Sequence, residues 1–67
     1  MFKIDSKKLL MALSDAALTV KGAAEKAGLS VGLVSKMLNG HSVNVRPSTI
    51  GKLARALGCK VEDLLQD

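Results

Sequence analysis

Aromatic residues are almost absent from this sequence, which has one Phe and neither Tyr nor Trp among its 67 residues. Apolar residues nevertheless make up 48% of the chain, so the core has to be built from tightly packed aliphatic side chains. A chain this short needs nearly all of that apolar area to offset the conformational entropy lost on folding. We therefore expect one small domain over residues 1–67, without room for a spacious enzyme pocket.

Cysteine and histidine occur once each, as Cys59 and His41. A single Cys forms no internal disulfide, and no cluster offers the four ligands of a zinc site. The sequence shows no nucleophile beside a base and no convergent pair of acids, so catalysis is not expected. It also lacks a signal peptide and an apolar run of about 18 residues, the length of a membrane span. These absences favour a cytoplasmic protein without metal, cofactor, small-molecule ligand or membrane partner.

Acidic residues are missing from residues 26–61, a stretch that holds six of the ten Lys and Arg residues. The net charge is +1 over residues 1–25, +6 over residues 26–61 and −3 over residues 62–67. A surface field of one sign suits a polyanion, and nucleic acid is the commonest polyanion in the cytoplasm. The charge pattern alone does not distinguish such a surface from a solvated basic one.

The spacing of apolar residues predicts five short helices and no strand, because the alternation at residues 42–45 is too short to count. Ser, Thr or Asp precedes each of the first three helices, and Gly28 and Gly58 follow the second and fourth. In the first helix, the apolar positions 9, 10, 13, 16 and 17 predict the buried side. The expected helices cover residues 6–17, 20–27, 31–38, 47–57 and 61–65, with a polar loop at 41–46.

The second and third helices are joined by a three-residue turn that contains Gly28, so they must cross steeply and closely. Ala24 supplies the small side chain that such a crossing needs, and Val34 supplies a branched side chain to hold the third helix in place. The predicted outward residues of the third helix and its N-cap are Ser30, Val31, Ser35, Lys36 and Asn39. A helix held in this way can present one side to the major groove of DNA, which is about 12 Å wide.

At these residues the chain resembles the helix-turn-helix domain of the XRE/Cro-repressor family, found in lambdoid phage repressors and many small bacterial regulators. The resemblance extends from Leu9 to Leu65 and rests on the motifs Leu18-Thr19, AEKAGLS at 24–30, Asn39-Gly40, Ala56-Leu57-Gly58 and VEDLL at 61–65. It implies an all-α, lambda-repressor-like bundle of five helices. It also implies a sequence-specific transcriptional regulator, repressor-like, whose helix 31–38 reads double-stranded DNA.

The resemblance also implies roles for individual residues. Base contacts fall on Val31, Gly32, Ser35 and Lys36, although family members often carry Gln, Arg or Asn at the first two of these positions. Contacts to the DNA backbone fall on Thr19, Lys21, Ser30 and Asn39 and, by their chemistry, on Asn44, Arg46 and Ser48. One module makes few base contacts, so we expect a two-fold homodimer on DNA, with contacts at Leu57, Cys59, Val61 and Leu64.

One alternative remains open from the sequence. The same fold can serve as a protein-interaction module, as in antitoxin-like or antirepressor-like factors, without reading DNA by itself. A module of that kind would bind DNA weakly and without preference, and its affinity would survive the substitution Lys36→Ala. The segment 34–40 also resembles a LacI-type headpiece, but a full predicted helix precedes the motif here, which fits the repressor-type bundle better.

Overall fold

The computed structural model describes residues 2–40 and 44–66. Within these residues the elements are β1 (Phe2–Lys3), α1 (Ser6–Asp15), α2 (Val20–Ala27), α3 (Val31–Asn39), β2 (Asn44–Val45), α4 (Pro47–Leu57) and a 3-10 helix (Val61–Leu64). The four α-helices correspond to the first four predicted helices. The first part of the predicted polar loop, residues 41–43, lies outside the described residues.

Two features correct the prediction of an all-α bundle of five helices. The last helix is a single 3-10 turn of four residues rather than an α-helix. In addition, β1 and β2 pair antiparallel, with Phe2 opposite Val45 and Lys3 opposite Asn44. Little in the sequence indicates this pairing, because each strand has only two residues and its partner lies far away along the chain.

The first helix ends at Asp15, two residues earlier than predicted, because the chain turns at Ala17. This residue has a φ of +55°, a left-handed conformation that is uncommon without glycine. The turn is closed by the Leu18 amide, which donates to the Leu13 carbonyl at 3.0 Å. No glycine marks the position, so the sequence offered no stop signal there.

The core is aliphatic, as the scarcity of aromatic residues requires. Its fully buried members come from every helix and from the segment after β1, and they include Ile4, Leu9, Val34, Met37, Ile50, Leu53 and Leu64. Among the described residues, no polar or charged residue is buried. The predicted buried side of α1 is wrong at two positions, since Leu10 is 56% exposed and Ala17 is also exposed, while Leu9 and Leu13 are buried.

The two ends of the described chain are joined through backbone hydrogen bonds. The Asp5 amide donates to the Leu64 carbonyl at 2.8 Å, and the Gln66 amide donates to the Lys3 carbonyl at 3.0 Å. Asp5 also caps α1, because its carboxylate accepts from the Lys7 and Lys8 amides at 2.9 and 3.1 Å. The residues before α1 are therefore fixed at both ends, by the cap and by the segment that follows the 3-10 helix.

Candidate nucleic-acid interface

The crossing of α2 and α3 positions the candidate interface. Ala24 on α2 and Val34 on α3 are both fully buried, as are Ala23 and Met37. The two helices pack against each other, and a side chain as small as that of Ala24 allows their backbones to approach closely. Because Val34 and Met37 are fully buried, the inner face of α3 is held against the protein.

The turn between the two helices is fixed by its own hydrogen bonds. Gly28 has a φ of +72°, which favours glycine because it has no Cβ. The Leu29 amide then donates to the Ala24 carbonyl at 2.8 Å, and the Ser30 hydroxyl accepts from the Leu33 amide at 3.1 Å. The end of α2 and the start of α3 are thus both capped, as the sequence predicted.

The outer side of α3 is open to solvent. Val31 is 45% exposed, and Ser30, Gly32, Lys36 and Asn39 are also exposed. Ser35 differs from the expectation in being only half-exposed. The side-chain nitrogen Nδ2 of Asn39 donates to the Ser35 carbonyl at 3.0 Å and lies 3.4 Å from the Ser35 hydroxyl oxygen. These two polar side chains are therefore partly engaged with each other and with the helix backbone.

Thr19 and Lys21 lie at the start of α2, where both are exposed. The Thr19 hydroxyl accepts from the Gly22 amide at 3.0 Å. A Cβ added at Gly22 would stand 3.2 Å from that hydroxyl oxygen, so glycine there leaves room for the cap. Because the hydroxyl accepts in this bond, its own hydrogen remains available to a phosphate oxygen at the positive end of the helix.

Asn44, Arg46 and Ser48 lie on the segment that leads from β2 into α4, and all three are exposed. A shallow groove lined by Leu33, Asn44, Val45, Arg46 and Thr49 connects this segment with α3. The residue before α4, Arg46, makes no side-chain cap to the helix. The first amides of α4 therefore lack a side-chain acceptor, and they lie next to an exposed guanidinium.

Lys3 is a candidate phosphate-binding residue that the sequence did not indicate. It lies directly opposite Asn44 in the two-stranded pairing, and residues in such a pair project from the same face of the sheet. Both side chains are exposed. Only the pairing brings these two residues together, so no local pattern could have identified Lys3.

The basic residues of the acid-free stretch lie at the surface. All six are exposed: Lys26, Lys36, Arg46, Lys52, Arg55 and Lys60. Three acidic residues and Lys8 line a groove between the end of α1 and the turn after α4; the acids are Asp15, Glu62 and Asp63. Cys59 lies in that groove, where burial, and secondly the charge of Asp63, raises the pKa of its thiol.

The four residues predicted for a dimer contact do not form one exposed surface. Leu57 and Leu64 belong to the hydrophobic core, with exposed fractions of 8% and 0%. Cys59 and Val61 are half-exposed and pack against the edge of that core. In the chain as folded, only the latter two offer side-chain surface to a partner.

The described part of the chain shows neither a metal centre nor a membrane-spanning helix. Within residues 2–40 and 44–66, no three His, Cys, Asp or Glu side chains come together in a way that would hold a metal ion. No helix in the same part of the chain is long and apolar enough to cross a membrane.

Comparison with known proteins links this geometry to a family. The family described as Cro/C1-type HTH DNA-binding domain matches residues 8–67. Among solved structures, native PhpD with cadmium is similar over 97% of this chain, with 26% identity and a TM-score of 0.82. A mutant of hydroxyethylphosphonate dioxygenase gives the same coverage and identity with a TM-score of 0.83. This chain covers 14% of either structure. Comparison with curated protein sequences finds no match.

Proposed function

Because the chain belongs to the Cro/C1-type helix-turn-helix DNA-binding family, we propose that it binds double-stranded DNA sequence-specifically and represses transcription without catalysing a reaction. The observation that carries the proposal is the exposed side of α3, which has one cation and no acid. With its side chains, an α-helix such as α3 is about 10–12 Å across. That diameter fits a major groove about 12 Å wide.

Base contacts in this proposal come from the exposed side of α3. Lys36 carries the one charged donor of α3 and can reach the O6 and N7 acceptors of a guanine. Ser35 and Asn39 are partly engaged with each other, which leaves them less able to reach a base edge. Gly32 has no side chain and allows the helix backbone to approach the DNA. Val31 presents only methyl groups.

Contacts to the DNA backbone come from both sides of α3. Thr19, Lys21 and Ser30 lie at the starts of α2 and α3, where the helix dipole and the hydroxyl groups favour phosphate. Asn44 and Arg46 line a groove with Leu33 of α3, Ser48 follows them at the start of α4, and Lys3 joins them through the pairing of β1 and β2. These contacts orient the protein on the duplex but do not select its sequence.

We propose that two copies bind one operator with two-fold symmetry, because specific binding of about 10⁻⁸ M or tighter needs more than one small module. The recognition helices would then lie about 34 Å apart, one turn of the DNA helix. Cys59 and Val61 are the predicted contact residues that remain partly exposed, and they are the ones retained in this proposal.

Selection of bound fragments from a random DNA pool tests the proposed function. We expect a preferred sequence with two related half-sites about ten base pairs apart. The substitution Lys36→Ala should cost about 1–3 kcal/mol and relax the preference at one or two positions. Arg46→Ala should weaken binding to all sequences alike and reduce the log–log salt slope by about one. If both substitutions only reduce affinity uniformly, α3 is not the reading element.

Arg55→Ala serves as the matched control, because Arg55 is an exposed arginine in the last turn of α4 and lies outside the proposed contacts. It should leave the sequence preference unchanged and alter the salt slope less than Arg46→Ala does. Equal effects of these two substitutions would mean that net charge, rather than a placed phosphate contact, accounts for binding.

A second candidate function is a protein-interaction module, and one observation favours it. Leu10 and Met11 on α1 are 56% and 59% exposed, which is unusual for neighbouring large apolar side chains in a small domain. Under this alternative the DNA pool yields no preferred sequence, and Lys36→Ala leaves the weak DNA binding unchanged. Substitution of Met11 by Lys would instead abolish binding to the partner.

A further inference from the structure

The side of α3 that faces solvent holds few groups able to read a base. The Ser30 hydroxyl caps the helix by accepting from the Leu33 amide, and its own hydrogen is assigned to a phosphate in the proposed function. The side-chain amide of Asn39 donates to the Ser35 carbonyl. Gly32 has no side chain. The two side chains of α3 left without a hydrogen-bond partner on this side are Val31 and Lys36, and they differ completely in chemistry.

Val31 can make only apolar contacts, and its position suits one. Its isopropyl group is 45% exposed at the first position of α3, and branching at Cβ limits its rotamers in a helix. An added Cβ at the neighbouring Gly32 would meet no atom within 4 Å, so no side chain shields this end of the helix. The protein therefore presents a stiff pair of methyl groups next to bare backbone.

The edges of the bases in the major groove carry one apolar group, the C5 methyl of thymine. Apart from the C5–H of cytosine, which offers much less apolar area than a methyl group, the other groups there are hydrogen-bond donors and acceptors. Covering one of them with an isopropyl group removes its water without replacing it. Only a C5-methylated pyrimidine thus gains from contact with Val31. A guanine or an unmethylated cytosine in the same place would bind the protein more weakly.

Taking the proposed function as its premise, we infer that Val31 selects a pyrimidine with a C5 methyl group and that Lys36 selects a guanine in the same half-site. The two residues are five positions apart on α3, which is about 7.5 Å along the helix axis. For a helix lying along the groove, at about 3.4 Å per base pair, this distance corresponds to about two base-pair steps between the methylated pyrimidine and the guanine.

The experiment removes single methyl groups from the DNA. Each thymine of the selected operator is replaced in turn by 2′-deoxyuridine, which lacks only the C5 methyl group, and affinity is measured for the wild type, Val31→Ala and Lys36→Ala. We expect one position per half-site at which the replacement weakens wild-type binding about fourfold, as for one buried CH₂-sized group. Val31→Ala should be insensitive to that replacement, whereas Lys36→Ala should remain sensitive.

A second set of operators tests whether the methyl group alone is read. At the sensitive position, an unmethylated cytosine paired with guanine should bind more weakly than the same pair carrying 5-methylcytosine, and Val31→Ala should not distinguish the two. Val31 is on the surface, so Val31→Ala should fold like the wild type. Far-UV circular dichroism of the wild type and the variant checks this.

The outcomes separate this inference from the proposed function. A preferred operator that tolerates deoxyuridine at every thymine overturns the methyl contact but leaves sequence-specific binding intact. Sensitivity that persists in Val31→Ala overturns the assignment to this residue. A pool that yields no preferred sequence overturns the proposed function, and the methyl contact with it.

Discussion

Gly32 allows a prediction that separates the stability of α3 from its proposed contact with DNA. It is the second residue of α3 and is exposed, and a Cβ added there would meet nothing within 4 Å. Alanine should therefore raise the free energy of unfolding by about 0.4–1 kcal/mol, chiefly by restricting the unfolded chain. For a domain of this size, that gain corresponds to a rise in Tm of roughly 2–8 °C. Affinity for the operator should fall, because the added methyl group stands between the helix backbone and the bases.

Two other glycines provide controls for the same substitution. Gly51 lies inside α4, and a Cβ added there also meets nothing within 4 Å, so Gly51→Ala should stabilise the protein by a similar amount and spare the base contacts. Gly28 has a φ of +72°, so Gly28→Ala should cost about 1–2 kcal/mol. The three substitutions add the same methyl group. They differ only in the backbone conformation of the glycine and in the neighbours of the new methyl group.

Urea unfolding followed by far-UV circular dichroism measures the stability changes, and fluorescence anisotropy with labelled operator measures the affinity. Loss of stability in Gly32→Ala would refute the conclusion that the fold does not need glycine at this position. If Gly32→Ala is stabilised and binds the operator as tightly as the wild type, the close approach of α3 to the bases is refuted instead.

Three further predictions concern the packing, the turn after α1 and the thiol. Ala24→Leu should destabilise the fold by about 1–3 kcal/mol through overpacking between α2 and α3; unchanged urea unfolding would contradict the close crossing. Ala17→Gly should raise the free energy of unfolding by about 0.5–1 kcal/mol, because it relieves a left-handed alanine, and a lower midpoint in urea would argue against that conformation. Iodoacetamide should modify Cys59 more slowly than free cysteine, since its pKa is raised, and Asp63→Asn should speed the reaction. Because the thiol pKa is raised in the folded protein, the unfolded chain loses the thiol proton first, and the free energy of unfolding should fall as the pH rises past about 8.5. A urea midpoint that does not change with pH in this range would contradict the raised pKa.

The parts of the fold that the sequence predicted correctly are those fixed by neighbouring residues. Thr19 and Ser30 cap the helices that follow them, and Gly28 takes the left-handed turn, because each of these signals acts within three or four positions. The outward side of α3 was predictable for the same reason, since helical spacing alone determines which residues lie on one side.

The parts that the sequence did not predict depend on distant contacts or on an exception to a local rule. The pairing of Lys3 with Asn44 joins residues 41 positions apart, and two-residue strands carry too little pattern to be detected. Ala17 adopts a conformation that usually calls for glycine. Leu57 and Leu64, predicted as dimer contacts from a family resemblance, are drawn into the core by the packing of α4 on the 3-10 helix.

The hydrogen bond between the Gln66 amide and the Lys3 carbonyl, 3.0 Å long, has a consequence for protein architecture. It places the incoming and the outgoing chain side by side, an arrangement that tolerates insertion into a host protein and circular permutation. A host could receive this unit within a surface loop without stretching either junction. Two host segments joined to Lys3 and Gln66 would lie next to each other. For a circular permutation, a short peptide could link these two residues, and new chain ends could be placed in a surface loop.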